Sequence, residues 1–230
     1  DSGQLGTRFR RVLVYGRVQR ETMPTDPNRR PALSSRMVQR ILLGLYRWKG
    51  WKIEGRRPDC EKFIILGAPH TSNWDFVFFL GAANQLGIKP SFMGKTSLFK
   101  WPMTNFMLDM GGVPVDRTKR GKYVDQVAAA FDASDELALV IAPEGSRTFK
   151  GGWRTGFYHI AMAAGVPIVP AWVNNKTMRG GMGEAMMPTG DYRADLAHLA
   201  AFYREKRPDC DRFVALERSA QTLGEMKGDS

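Results

Sequence analysis

From residue 62 onward, short apolar runs alternate with apolar or amphipathic stretches of helical length, and that alternation confines the chain to an α/β layer fold. The spacing predicts strands over 62–66, 88–93, 113–115, 137–142 and 168–173. Between and after them it predicts helices over 74–86, 99–110, 123–133, 155–164 and 191–205, with Pro102 suited to a first helical turn. Strands separated by helices imply a mixed, largely parallel sheet flanked by helices. The Gly-, Met- and Asn-rich stretch 174–188 reads as a mobile loop.

The first 50 residues read differently, as a basic arm and interfacial helix ahead of a main domain over 51–230. Residues 1–32 are Arg-rich and broken by Pro24, Pro27 and Pro31, as in an arm or loop. Residues 33–49 read as an amphipathic helix that Ser34 or Ser35 can cap. Met37, Ile41, Leu45 and Trp48 recur at helical spacing, Arg36, Arg40 and Arg47 share another face, and Tyr46, Trp48 and Trp51 gather near one end. An apolar stripe with a cationic flank and aromatic anchors suits a membrane-facing helix. The same stripe suits docking on the protein's own core, and the pattern leaves both readings open.

Charge narrows the partners. The chain carries a formal net charge of +11, and its first 50 residues hold ten Arg and one Lys against three acidic residues. An anionic partner follows: a membrane surface, a phosphorylated or CoA-type substrate, or nucleic acid. No nucleic-acid-binding signature accompanies the charge. Cys60 and Cys210 are too few for a disulfide scaffold and lack zinc-ligand spacing, which suits a reducing, cytoplasmic setting. They lie in two similar octads, 57–64 and 207–214, that read as turns entering apolar segments. No spanning run of about 18 apolar residues and no secretory signal is legible.

Three stretches carry chemistry at predicted strand ends. Gly67-Ala68-Pro69-His70-Thr71-Ser72-Asn73-Trp74-Asp75 puts a histidine after an apolar strand and a carboxylate five residues later, near a helix start. An imidazole can take a proton near neutral pH, and a carboxylate on its other nitrogen fixes the tautomer and stabilises the imidazolium. Such a pair activates a hydroxyl or a water without a serine nucleophile, and Ser72 is not in a nucleophile-elbow sequence. A histidine beside an aspartate also occurs as a plain structural hydrogen bond. His159, mid-helix in an apolar stretch, reads as structural; His198 reads as a surface or packing residue. Gly111-Gly112-Val113-Pro114-Val115-Asp116-Arg117 and Ala142-Pro143-Glu144-Gly145-Ser146-Arg147 each deliver an arginine after a strand. The guanidinium fork matches phosphate, Gly145 allows close backbone approach, and Glu144 can hold an arginine or accept from a hydroxyl. A fourth stretch, Gly165-Val166-Pro167-Ile168-Val169-Pro170, is a strand flanked by prolines.

In this order and spacing, the four stretches resemble the glycerolipid acyltransferase family, which includes the 1-acyl-glycerol-3-phosphate acyltransferases. The resemblance covers about residues 45–175 and extends to the Lys-rich segment Lys95-Thr96-Ser97-Leu98-Phe99-Lys100. It implies an α/β sheet with a membrane-facing N-terminal helical element. It also implies that His70 deprotonates the hydroxyl of a lysophospholipid and that Asp75 orients His70. The alkoxide would attack the thioester of acyl-CoA or acyl carrier protein, with no acyl-enzyme and no cofactor or metal. Arg117, Glu144, Gly145, Ser146 and Arg147 would bind the acceptor's phosphate and glycerol end, with Lys95 adding positive charge. The expected place of work is the cytoplasmic face of the cell membrane, as a peripheral or monotopic protein. Pro69, Ser97 and Pro114 depart from the commonest family pattern. They remove no catalytic group but leave the acceptor open to other lyso-lipids, such as a lyso-ornithine lipid. A non-catalytic anionic membrane or nucleic-acid binding module fits the charge but gives no reason for the His70–Asp75 spacing. A hydrolase differs only in using water as acceptor.

Overall fold

The computed structural model describes residues 31–95, 104–115, 120–145 and 152–228. Seven strands form one sheet: β1 (Lys52–Glu54), β2 (Lys62–Gly67), β3 (Pro90–Lys95), β4 (Gly112–Val115), β5 (Leu137–Ile141), β6 (Ile168–Asn174) and β7 (Arg179–Met182). Their spatial order is β1-β7-β6-β2-β5-β3-β4. Every pairing is parallel except β6 with β7, so the sheet is mixed and largely parallel. The helices are α1 (Leu33–Lys49), α2 (Asn73–Gln85), α3 (Thr104–Asp109), α4 (Arg120–Ala133), α5 (Gly156–Ala164), α6 (Tyr192–Lys206) and α7 (Asp211–Gly228).

The central strand β2 explains why the sequence showed an unbroken apolar run there. Ile64 and Leu66 face one side, against Val127 and Phe131 of α4, Phe157 and Ile160 of α5, and Leu199 of α6. Phe63 and Ile65 face the other, beside Ala83 of α2 and Val169 of β6. A strand covered on both faces has no polar side, so period-two alternation vanishes. Tyr203 of α6, fully buried, donates its hydroxyl to the carbonyl of Leu66 and fixes the exit of β2.

The structure departs from the sequence reading in several places. The stretch 174–188 is not simply a loop. It turns back as β7, which pairs antiparallel with β6 and parallel with β1, and Met186 bridges to Ile168. Neither three-residue β1 nor four-residue, glycine-containing β7 has the apolar pattern that marks a strand; each is defined by its neighbours. Ser34 and Ser35 do not cap α1, whose N-cap is Ala32 without a side-chain bond. Instead Asp109 of α3 accepts from the Ala32 N–H at 3.1 Å and from the Ser35 hydroxyl at 2.6 Å, supplying the cap from a distant helix. His159 is exposed rather than structural. The helix expected over 99–110 is described only from Thr104, and the arm over 1–30 lies outside the described residues. The two similar octads diverge: the first leads into β2, the second into α7. Both cysteines are free, and they pack in different clusters.

Helix α1 has two working faces. Tyr46 is buried, stacks on Trp51 at 5.6 Å, and packs with Val77 and Phe78 of α2, with Leu42 and Leu45 alongside. The opposite side presents Leu33, Met37, Ile41 and Trp48, all more than half exposed. Helical geometry places exposed Arg36, Arg40 and Arg47 along one border of that stripe. Among the described residues no helix is long and apolar enough to cross a membrane.

Candidate active site

The strands β2, β5 and β6 run parallel side by side, so their C-terminal ends open on one edge of the sheet. That edge collects His70 after β2, Glu144 and Gly145 after β5, and Asn175 after β6. Lys95 ends β3 and Val115 ends β4 on the same edge, because both strands are parallel to β5 and to each other. Crevices beyond the carboxyl ends of parallel strands are where open α/β sheets bind ligands.

The loop from β2 into α2 is organised by its own residues. The Ala68–Pro69 peptide is cis. Ser72 is the N-cap of α2, with its hydroxyl oxygen accepting from the Trp74 N–H at 3.1 Å. Asp75, three residues on, completes the reciprocal capping box. Its Oδ2 accepts from the N–H groups of Thr71 and Ser72, both at 2.7 Å. The five-residue interval is therefore what folds the loop: the carboxylate must reach back over one turn. It also brings Asp75 Oδ2 to 3.7 Å from His70 Nδ1, an ion-pair separation longer than a hydrogen bond. Asp75 is buried whereas the His70 side chain is 36% exposed. The imidazole can thus meet a substrate while its carboxylate partner stays fixed behind it.

Glu144 underlies the same loop. It is buried, and its Oε2 accepts from the His70 N–H at 3.4 Å and from Arg212 Nη1 at 2.5 Å. Burial pushes the Glu144 carboxyl above the usual range. The Arg212 charge and the hydrogen bonds from His70 and Arg212 oppose that, and the Asp75 charge reinforces it. Its Oε1 is buried with no hydrogen-bond partner among the described residues. Gly145 has φ +68°, and a Cβ there would stand 2.6 Å from Arg154 Nε. The turn therefore needs glycine for its backbone, and it carries the Arg154 side chain close against it.

The structure thus gathers His70, Asp75, Glu144 and Gly145 and puts the end of Lys95's strand on the same edge. Arg117, Ser146 and Arg147 lie outside the described residues, as do 96–100 of the Lys-rich segment. Two participants escaped sequence reasoning. Asn175 donates from Nδ2 to Asp75 Oδ1 at 2.7 Å, and it lies in the stretch read as a loop. Arg212 lies on α7, in an octad whose sequence reads only as a turn entering an apolar segment. Chemically, the edge offers a partly exposed imidazole with one nitrogen turned to a buried carboxylate, an arrangement that can serve as a general base. Among the described residues beside His70, Ser72 has its Oγ engaged as the cap of α2.

The profile of the Acyltransferase family matches residues 52–174, from β1 to the end of β6. The chain is 30% identical to the 1-acyl-sn-glycerol-3-phosphate acyltransferase of Salmonella typhimurium across 91% of this chain and 92% of that protein. It is 29% identical to the 1-acyl-sn-glycerol-3-phosphate acyltransferase of Escherichia coli across the same shares, 91% and 92%. With the protein of that name from Saccharomyces cerevisiae it shares 28% identity, across 60% of this chain and 46% of the yeast protein. No solved structure matches the chain.

Proposed function

The chain belongs to the acyltransferase family, and on that premise we propose that it acylates the hydroxyl of a lysophospholipid such as 1-acyl-glycerol-3-phosphate. The single observation that carries the mechanism is His70 with Nδ1 turned to Asp75 and its side chain partly exposed. Nε2 of the neutral ring removes the acceptor's hydroxyl proton. The alkoxide oxygen attacks the thioester carbonyl carbon, and Asp75 stabilises the imidazolium meanwhile. The tetrahedral intermediate collapses with cleavage of the C–S bond. The thiolate leaves and takes the proton from His70, so the products are an ester and a free thiol, and no acyl-enzyme forms. The acyl donor is acyl-CoA or acyl carrier protein, acting as co-substrate, and no cofactor is invoked.

Gly145, Ser146, Arg147 and Arg117 bind the phosphate and glycerol end of the acceptor, and Lys95 adds positive charge. Arginine suits this because its fork meets phosphate oxygens in pairs. Glu144 shapes the same pocket from beneath by holding Arg212 and the His70 N–H. The enzyme works as a peripheral protein on the cytoplasmic face of the cell membrane. The outward stripe of α1 enters the lipid interface, and its bordering arginines each add about 1 kcal/mol on an anionic surface. At the C-terminal end of α1 the Lys49 ammonium lies 4.6 Å from the Trp74 indole centroid, and Trp74 is the residue before Asp75. The lipid-facing end of α1 therefore meets the helix that carries the acid of the dyad.

The test is thioester-dependent acylation of a panel of lyso-lipids by wild type and His70→Ala, read by lipid mass spectrometry. Acylated product formed by wild type and lost in the variant supports the reading and names the acceptor. Free fatty acid in place of acylated lipid would make the protein a hydrolase, and no turnover across the panel would leave a binding protein as the better account.

A further inference from the structure

We propose that Asn175 is a positioning residue for the dyad: its amide pins the Asp75 carboxylate so that one oxygen stays committed to His70. This inference rests on the general-base reading above. Asp75 Oδ2 is held by two backbone N–H groups and faces His70 Nδ1. Its other oxygen, Oδ1, is held by Asn175 Nδ2 at 2.7 Å. The amide orientation follows from chemistry, since a carboxylate only accepts and the NH₂ must face it.

Two further observations separate this contact from ordinary packing. First, Asn175 is not what holds its turn together. Asn174 does that, with Oδ1 accepting from the N–H groups of Lys176 and Thr177 at 3.0 and 3.2 Å. These turn hydrogen bonds do not use the Asn175 side chain, which the turn presents at the sheet edge where His70 lies. Second, Asn175 Oδ1 is buried with no partner among the described residues. A buried acceptor without a donor costs stability, so an asparagine here is poorly explained by folding alone. It is explained if the opposite end of the amide serves Asp75. Without that donor the carboxylate is held through Oδ2 alone, by the Thr71 and Ser72 N–H groups, and its tilt toward Nδ1 is no longer fixed at both oxygens.

The test uses the full chain with Asn175→Ala and the near-isosteric Asn175→Asp, which keeps the shape but sets an acceptor against Asp75. In steady-state acylation, both variants should lose kcat by roughly tenfold to a hundredfold, with the KM of donor and acceptor little changed. Unchanged kcat, or a loss confined to KM, would overturn the proposal. An independent readout does not need turnover. Long-range proton–nitrogen NMR at a pH where His70 is neutral should find the Nδ1–H tautomer in wild type and a tautomer mixture in Asn175→Ala. The same tautomer in both would overturn the proposal. Should wild type acylate none of the lipids offered, the acyltransfer reading fails, and the tautomer result still decides the role of Asn175.

Discussion

Arg212 donates to Glu144 at 2.5 Å across 68 positions of sequence, tying the last helix of the chain to the turn that follows β5. The same Glu144 oxygen accepts from the His70 N–H, so α7 braces the loop that carries His70 through one buried carboxylate. A buried charge of this kind is tolerated only while its partner remains.

Arg212→Met should therefore destabilise the fold in a pH-dependent way. Burial raises the Glu144 carboxyl above its ordinary range. For an acid raised in the folded state, the penalty is absent below the unfolded pKa and complete above the folded one. Removing Arg212 takes away the charge that restrains that rise. The variant should lose about 3–5 kcal/mol near pH 8 and much less near pH 5. Urea denaturation at the two pH values measures this, and an equal loss at both would mean that Glu144 ionisation is not involved.

Asp75→Ala should reduce kcat by about 10²–10⁴, and combining it with His70→Ala should add little, because the two act as one unit. Steady-state kinetics of the single and double variants checks this. Multiplicative losses would mean independent roles.

Gly145→Ala should cost about 1–2 kcal/mol, since alanine must adopt φ near +68° and displace the Arg154 side chain. Calorimetry should show Tm lower by several degrees. Arg154→Ala in the same chain should recover the crowding but not the backbone strain. Full recovery would assign the whole effect to the side chain.

Met37→Asp with Ile41→Asp should weaken binding to anionic vesicles while leaving Tm nearly unchanged, because both side chains are exposed. Sedimentation at low and high salt separates the contributions. The arginine part fades with salt, and the apolar part is what the double variant removes. Undiminished binding would show that this face of α1 does not meet the lipid.

How much of this was legible beforehand follows from the range of each interaction. The buried strands β2, β5 and β6 announce themselves because enclosure on two faces demands unbroken apolar runs. The loop holding His70 and Asp75 is also local. Ser72 and Asp75 stand three residues apart, Thr71 and Asp75 four, and these are the intervals a capping box and one helical turn require. The need for glycine at 145 could be suspected from the strand–turn pattern. β1 and β7, by contrast, are short and lack an apolar signature; pairing alone makes them strands. The octads 57–64 and 207–214 make the same point: similar residues enter a strand in one case and a helix in the other.

The sequence by itself determined the layered α/β class, the order of strands and helices through most of the core, and the histidine–carboxylate pair, because those depend on periodicity and on contacts within one helical turn. Only the tertiary structure decided what holds that pair in place. Asn175 reaches Asp75 across 100 positions and Arg212 reaches Glu144 across 68. Parallel strand ends bring such residues together by topology, and no local spacing records which of them will meet.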